Sequence, residues 1–522
     1  MGAIQEKINS HSHQERQENG RAGFFPSAKF VLLLIAVHLA VALLLAYVLN
    51  IWVDEASSLY TTQNGFLQAF RHAMTDELQA PLYFWLLSIW RDINSSIFFA
   101  RLFSVLCSVL AIKAAFDSAR RFLPAPARVF AVVIFALHPL LFWAGTEIRG
   151  YALVILLSAL LLRFFYDAYL AEQPALINKI LYILIAAIAL YTNYFLGFLL
   201  VGNFCALLAL RRFRQAAHYL AHMAIVAVLF SPLLYGLSAQ FAARNEMGDR
   251  SFFEALRTVW QHIQTFLLPV NIFVEENSVA AILRLWIFRV GVTGIFICLL
   301  IKRARNISAN TIALGVICLI PALFLLAVVG LLGSDYTNIR HASLLLPPAV
   351  MFFSALLFET FGKRGLLVWA ILLAFFIPFS TWQEFSGLAK RGDWEKVAAY
   401  VQANEKPGQT ILVFKPYDSL AFKVYYNYYG GANTVLPGEG YFPWARQNHF
   451  NFSEALPQQT ASLISQIPSG SNEVWVLTGE ICDNPKTSDA CAPLEDFLDS
   501  NYTILDSQNF YLEKARLYRK KQ

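Results

Sequence analysis

Apolar stretches long enough to cross a bilayer recur along most of this sequence, and they restrict what it can fold into. In hydrocarbon every backbone N–H and C=O must be satisfied within the protein, so a spanning segment is either a helix or part of a closed barrel. A helix rises 1.5 Å per residue and needs about 17 to 25 predominantly apolar residues to cross. Runs of that kind lie at 29–50, 96–116, 127–145, 149–169, 178–193, 195–210, 217–237, 281–302, 310–333, 340–360 and 365–382. They predict an α-helical polytopic membrane protein of about eleven transmembrane helices. Composition agrees, since 57% of the 522 residues are hydrophobic and only 15% are charged, far from the balance of a soluble domain.

The net charge of +6 would suggest nucleic acid in a soluble protein. Here Lys and Arg gather in short linkers, where they act as topology signals, and nucleic acid is excluded as a partner. Arg120-Arg121 with Arg128, Lys179, Arg211-Arg212-Phe213-Arg214, Lys302-Arg303-Ala304-Arg305 and Lys363-Arg364 occupy alternate linkers. One orientation puts all of them in the cytoplasm, and it sends 51–95, 145–149, 193–195, 238–280, 333–340 and everything after 382 to the outer face. Residues 1–28 are polar, with no apolar core of a signal peptide and with Glu6 where myristoylation wants Ser or Thr, and read as a disordered cytoplasmic N-terminus. The transmembrane domain is then 29–382, with outer loops 51–95 and 238–280.

From Asp393 the pattern turns soluble. Trp394 to Ala403 and Leu420 to Tyr429 read as helices, Thr410 to Phe414 and Val474 to Leu477 as strands, so 383–522 is expected to be a small extracytoplasmic α/β domain. Cys107, Cys205, Cys298 and Cys318 fall inside apolar spans as core fillers. Cys482 and Cys491 lie in the polar C-terminal segment, near enough for a small disulfide loop, which fits an oxidising compartment and the same topology. The run Tyr425-Tyr426-Asn427-Tyr428-Tyr429 is either a packed helix face or a platform for sugar rings.

Polar residues that reach the outer face carry the chemistry. Asp54 and Glu55 stand directly after the first span, in Trp52-Val53-Asp54-Glu55-Ala56-Ser57-Ser58-Leu59-Tyr60. A carboxylate near the bilayer centre costs roughly 2.5 to 3.5 kcal/mol and less toward the interface, so an acid pair at a helix mouth is affordable and well placed to meet a membrane-borne substrate. The plain alternative is that the pair ends one helix and caps the next. Glu147 and Arg149 lie in the turn between two spans and reach the same surface, unless they serve only to neutralise each other. Arg340 and His341 fall at another outer helix end, where the positive-inside bias disfavours arginine; pairing of Arg340 with Asp335 is the local alternative. Acids that take a proton, with arginines that hold a planar anion by paired hydrogen bonds, suit transfer from a phosphate leaving group.

The acid pair, the Pro81-Leu82-Tyr83 element, the run from His138-Pro139 to Glu147-Ile148-Arg149-Gly150-Tyr151-Ala152-Leu153, Arg340 with Leu346-Pro347-Pro348 behind it, and Asp393-Trp394 together resemble the GT-C membrane glycosyltransferases. Their order and sidedness place the resemblance in the bacterial branch related to protein O-mannosyltransferases and the lipid A aminoarabinose transferase. The resemblance implies a glycosyltransferase using a polyprenyl-phosphate sugar donor and inverting the sugar carbon; the inner membrane is the expected location, and the compact α/β reading of 383–522 favours an envelope lipid or glycan as acceptor. Carried over by position, Asp54 is the base with Glu55 and Glu147 as further catalytic candidates, and Arg149, Tyr151 and Arg340 attend the donor phosphate. Gln79-Ala80 stands where many relatives have His or Lys before the proline, so Gln79 is at most a neutral substitute, with His341 as a further supporting candidate. No cofactor is certain. A divalent metal stays open, although His72, His138 and His341 stand in no H-x-x-E or H-x-x-x-H spacing. The competing readings are an O-antigen polymerase or ligase and a lipid-linked sugar transporter. The first is expected to carry its main catalytic loop late in the chain, and the second to show related halves with charges buried mid-span; neither pattern is present.

Overall fold

A computed structural model of the chain describes residues 28–243, 252–269, 290–295, 297–299, 301–302, 307–332, 339–385, 392–414, 418–438, 460–461, 463–479, 482 and 491–522. The expected disordered N-terminus up to residue 27, parts of the 238–280 loop, half of the span expected at 281–302, and Asp335 lie outside these residues. The described chain is mostly helical, with a small sheet near its C-terminus. Among the described residues six helices are long and apolar enough to cross a membrane, or up to seven if a bent pair counts as one span.

The first span, α1 (Ala28–Val48), is followed by three short helices, α2 (Val53–Thr61), α3 (Phe66–Thr75) and α4 (Leu82–Arg91). Phe66 and Leu67 on α3 are exposed. The next span, α5 (Ile97–Phe122), is capped by Ser96, whose hydroxyl oxygen accepts from the Phe99 N–H at 3.3 Å, and it ends on Arg120 and Arg121 beside its negative dipole end. The run expected at 127–145 breaks into α6 (Ala125–Leu137) and α7 (Pro139–Thr146), bent by 44°. Pro139 lacks an N–H and its ring clashes with the preceding turn, so the helix cannot run through. After α8 (Tyr151–Phe165) come α9 (Leu176–Thr192), α10 (Leu196–Ala209), α11 (Phe213–Phe230), α12 (Leu234–Ala243), α13 (Phe252–Leu267) and α14 (Ala309–Leu332). A 3₁₀ stretch at Ile339–Leu345 leads into α15 (Leu346–Phe385).

The two runs expected at 340–360 and 365–382 are joined in α15 across a break at Gly362, whose φ of 62° and ψ of −152° only glycine adopts without strain. The spans pack α5 against α8, α10 against α14, and α6 against α15. Ala111 and Ala115 on α5 and Ala159 on α8 are buried. Small side chains let helix backbones approach closely where lipid supplies no hydrophobic drive.

The C-terminal part comprises α16 (Trp394–Asn404), β1 (Thr410–Phe414), α17 (Ser419–Tyr428), β2 (Thr434–Leu436), β3 (Glu473–Gly479), α18 (Ala492–Asn501), β4 (Tyr502–Asn509) and β5 (Glu513–Lys520). The sheet order is β2-β1-β3-β5-β4. β1 runs parallel to β2 and β3, with Leu412 opposite Val476, while β5 is antiparallel to β3 and β4. Every residue of β1 is buried, as a central parallel strand covered on both faces requires. Tyr425 and Tyr426 form the buried face of α17, whereas Tyr428 is exposed.

Cys482 and Cys491 are joined, with 5.5 Å between their Cα atoms. They lie beside a small cluster built on Leu412, Phe414, Leu494 and Leu498. The bridge closes a short loop, so replacing both cysteines with serine is expected to lower the stability of this part by about 2 to 3 kcal/mol on the chain-entropy model. Denaturant unfolding of the purified protein with and without reductant measures it.

The C-terminal part also fastens the exit of α1. Asn50 donates to Asp393 Oδ1 at 3.0 Å, and the Ile51 N–H donates to the Tyr425 hydroxyl at 2.8 Å. Burial pushes the Tyr425 phenol up, so it stays neutral. Tyr425→Phe leaves a buried N–H without this acceptor, a loss of about 1 to 3 kcal/mol, expected as a lowered thermal midpoint in detergent. An unchanged midpoint would mean that this contact does not hold the segment.

Candidate active site

The site is built around the mouth of α1. Four residues separate α1 from α2, and the peptide groups at that exit have no helical partners of their own. Arg101, on α5, supplies donors: its Nη1 reaches the carbonyls of Ala46 at 3.0 Å and Leu49 at 2.5 Å, and its Nη2 that of Asn50 at 3.0 Å. The same guanidinium grips Glu55 by both oxygens, Nε to Oε1 at 3.0 Å and Nη2 to Oε2 at 2.9 Å. Glu55 Oε1 also accepts the Ile148 N–H at 3.1 Å. One buried ion pair therefore ties together the end of α1, the start of α2 and the turn between α7 and α8.

A second pair lies beside it. Arg149 Nη1 donates to Glu77 Oε2 at 2.9 Å, to Ser58 Oγ at 3.1 Å and to the Asp54 carbonyl at 3.3 Å. Glu77 also accepts from Ser57 Oγ at 2.7 Å and from Gln79 Nε2 at 3.2 Å. Glu147 Oε2 accepts the Trp52 indole N–H at 2.6 Å, and its carbonyl accepts from Ser104 at 2.5 Å. Tyr151 lies against Trp143, with ring centroids 5.1 Å apart, and His341 meets Phe195 edge-on at 6.2 Å.

The third pair differs from these two. Arg340, from the 3₁₀ stretch late in the chain, donates from Nη1 to Asp54 Oδ2 at 2.6 Å, and its guanidinium lies over the Trp52 ring, 5.4 Å from the centroid. Its side chain keeps 21% of its exposure, against 1% for Arg101 and 8% for Arg149. Asp54 thus points at an accessible arginine, while Glu55 is enclosed. Neighbours on a helix point about 100° apart, which is why adjacent acids have different surroundings.

The structure brings Asp54, Glu55, Glu147, Arg149 and Arg340 into one network with Trp52, and Gln79 touches it through Glu77. Arg149 was expected at a donor phosphate, but its guanidinium is engaged with Glu77, Ser58 and a backbone carbonyl. Two members went unnamed in the sequence. In the orientation expected from the sequence Arg101 falls at the outer end of a span, where the positive-inside bias disfavours it, the same signal that singles out Arg340. Glu77 carries no comparable local mark. Among the described residues no group of three or more His, Cys, Asp or Glu is placed to hold a metal ion, and the partner at Asp54 is a guanidinium.

Residues 78–235 match the model of a family described as dolichyl-phosphate-mannose-protein mannosyltransferase. No curated protein matches the sequence. Among solved structures, ArnT from Cupriavidus metallidurans in the apo state is 14% identical, with 94% of this chain and 98% of that chain covered and a TM-score of 0.47. The same protein bound to undecaprenyl phosphate gives the same values, 14%, 94%, 98% and 0.47. The Archaeoglobus fulgidus oligosaccharyltransferase tethered with an acceptor peptide is 12% identical, covering 95% of this chain and 74% of that chain at a TM-score of 0.48. The family match takes in α4, Arg101 and the turn with Glu147 and Arg149, and over that segment the chain is similar to the dolichyl-phosphate-mannose-protein mannosyltransferase family.

Proposed function

We propose that this chain transfers a sugar from a polyprenyl-phosphate carrier to an envelope lipid or glycan on the outer face of a bacterial inner membrane, inverting the sugar carbon. The observation that carries this reading is the 2.6 Å contact between Asp54 and Arg340, a base and a cation at the mouth of a membrane span. The description of the matched family, which names a polyprenyl-phosphate sugar, supports the donor class.

In this mechanism the acceptor hydroxyl attacks the sugar carbon from the face opposite the phosphate. Its proton goes to Asp54 Oδ2, the bond from sugar carbon to phosphate oxygen breaks, and the electron pair stays on the phosphate. The products are the glycoside and polyprenyl phosphate. A single displacement with opposed entering and leaving groups inverts the carbon. Arg340 stabilises the departing phosphate, where a fixed cation is worth more in the transition state than in the ground state because charge grows there. Glu55 with Arg101, and Glu77 with Arg149, position the helix that carries Asp54. Glu147 holds Trp52 under Arg340. The positive-inside linkers and the Cys482–Cys491 bridge support an outer location for 383–522.

The test compares Arg340→Lys with Arg340→Ala in turnover assays with a polyprenyl-phosphate sugar at saturating acceptor. Lysine keeps the charge and loses the planar fork, so it is expected to be clearly impaired, with alanine worse. Near wild-type rates for both would remove Arg340 from the site.

A further inference from the structure

We infer that the Arg340–Asp54 pair is a latch on the base, opened by the donor phosphate; the inference rests on the reading of Asp54 as base and Arg340 as phosphate ligand. Asp54, which takes the acceptor's proton in this reading, already accepts an Arg340 N–H on Oδ2 at 2.6 Å. While it does so, that lone-pair direction is closed to an acceptor hydroxyl. A guanidinium serves a carboxylate and a phosphate with the same fork of donors, so the two anions compete for one cation.

Of the three arginines in the network, Arg340 is the one placed to change partner. Arg101 is 1% exposed and bound to three carbonyls as well as Glu55. Arg149 is 8% exposed and bound to Glu77, Ser58 and the Asp54 carbonyl. Arg340 keeps 21% of its exposure and lies over a flat aromatic ring. Trp52 is fixed by its indole bond to Glu147 Oε2 at 2.6 Å, so the guanidinium can turn over the ring without losing that contact. When donor phosphate oxygens accept the Arg340 N–H groups, Oδ2 of Asp54 opens and then takes the acceptor's proton. The order of events follows: donor first, deprotonation second.

This latch has a counterintuitive consequence. Removing the Asp54 charge removes the competitor for Arg340, so a variant unable to catalyse binds the carrier phosphate more tightly. The experiment is equilibrium binding of a polyprenyl monophosphate to the purified full chain in lipid nanodiscs, for wild type, Asp54→Asn, Arg340→Ala and the double variant. A charged hydrogen bond is worth about 1.5 to 3 kcal/mol, so Asp54→Asn is expected to bind about tenfold tighter or more. Arg340→Ala is expected to bind more weakly than wild type, and adding Asp54→Asn to it is expected to restore nothing. Asp54→Ala, with no amide to stand in for the carboxylate, gives the same sign. If both Asp54 variants bind like wild type or more weakly while Arg340→Ala still weakens binding, the latch is overturned and the donor-phosphate reading stands. If Arg340→Ala leaves binding unchanged, both are overturned.

Discussion

Asp54→Asn is expected to lower the rate of sugar transfer by about 10² to 10⁴, the usual worth of general-base assistance, in a protein that still folds and inserts. The substitution keeps the size of the side chain and an oxygen that Arg340 can reach, so the network around it has little reason to collapse. What it removes is the group that takes the acceptor's proton. Asp54 is suited to that part because its surroundings differ from those of its neighbour: Glu55 is wholly buried and gripped by Arg101, while Asp54 faces an arginine with solvent access. Turnover of the purified variant with a polyprenyl-phosphate sugar checks the prediction, with thermal unfolding run beside it. A near wild-type rate would assign the base role elsewhere.

The second large effect concerns stability. Arg101→Met leaves the Glu55 carboxylate buried without its cation, and deprives the carbonyls of Ala46, Leu49 and Asn50 of their donor. Breaking a buried pair by removing one partner costs about 3 to 5 kcal/mol, a large share of the roughly 5 to 15 kcal/mol by which a folded protein is stable. The variant is expected to unfold at markedly lower temperature or to fail to accumulate. Glu55→Gln is expected to be milder, because Arg101 keeps its three carbonyls and the amide oxygen still accepts. Thermal or denaturant unfolding of both variants in the same detergent gives the comparison. Equal stability of Arg101→Met and wild type would mean that the pair does not hold the helix mouth.

Much of the fold is legible in the sequence, because hydrocarbon permits few solutions. The long described helices fall on apolar runs, but the run at 127–145 breaks at Pro139 and the runs at 340–360 and 365–382 join across Gly362. The C-terminal hairpin was less visible. β4 reads Tyr-Thr-Ile-Leu-Asp-Ser-Gln-Asn and is almost wholly exposed, and β5 carries Lys and Arg between its apolar residues. β5 has Arg516 buried against Glu495, with bonds of 2.5 and 2.7 Å, a pairing that no local pattern announces. At the site, Asp54 and Arg340 each stand out locally because both are charged at a helix mouth. Their contact spans 286 positions and is a property of packing alone. The same holds for Glu77 and Arg149, 72 positions apart; an acid within an amphipathic segment looks like any solvated charge until its partner is known.

The most direct test of the central claim is mass spectrometry of envelope glycolipids and polysaccharides from cells lacking the gene, complemented with wild type or with Asp54→Asn. The account predicts that one class of acceptor loses a sugar, that the matching polyprenyl-phosphate sugar accumulates, and that wild type reverses both changes while Asp54→Asn reverses neither. An envelope unchanged by loss of the gene, or full restoration by Asp54→Asn, would contradict it.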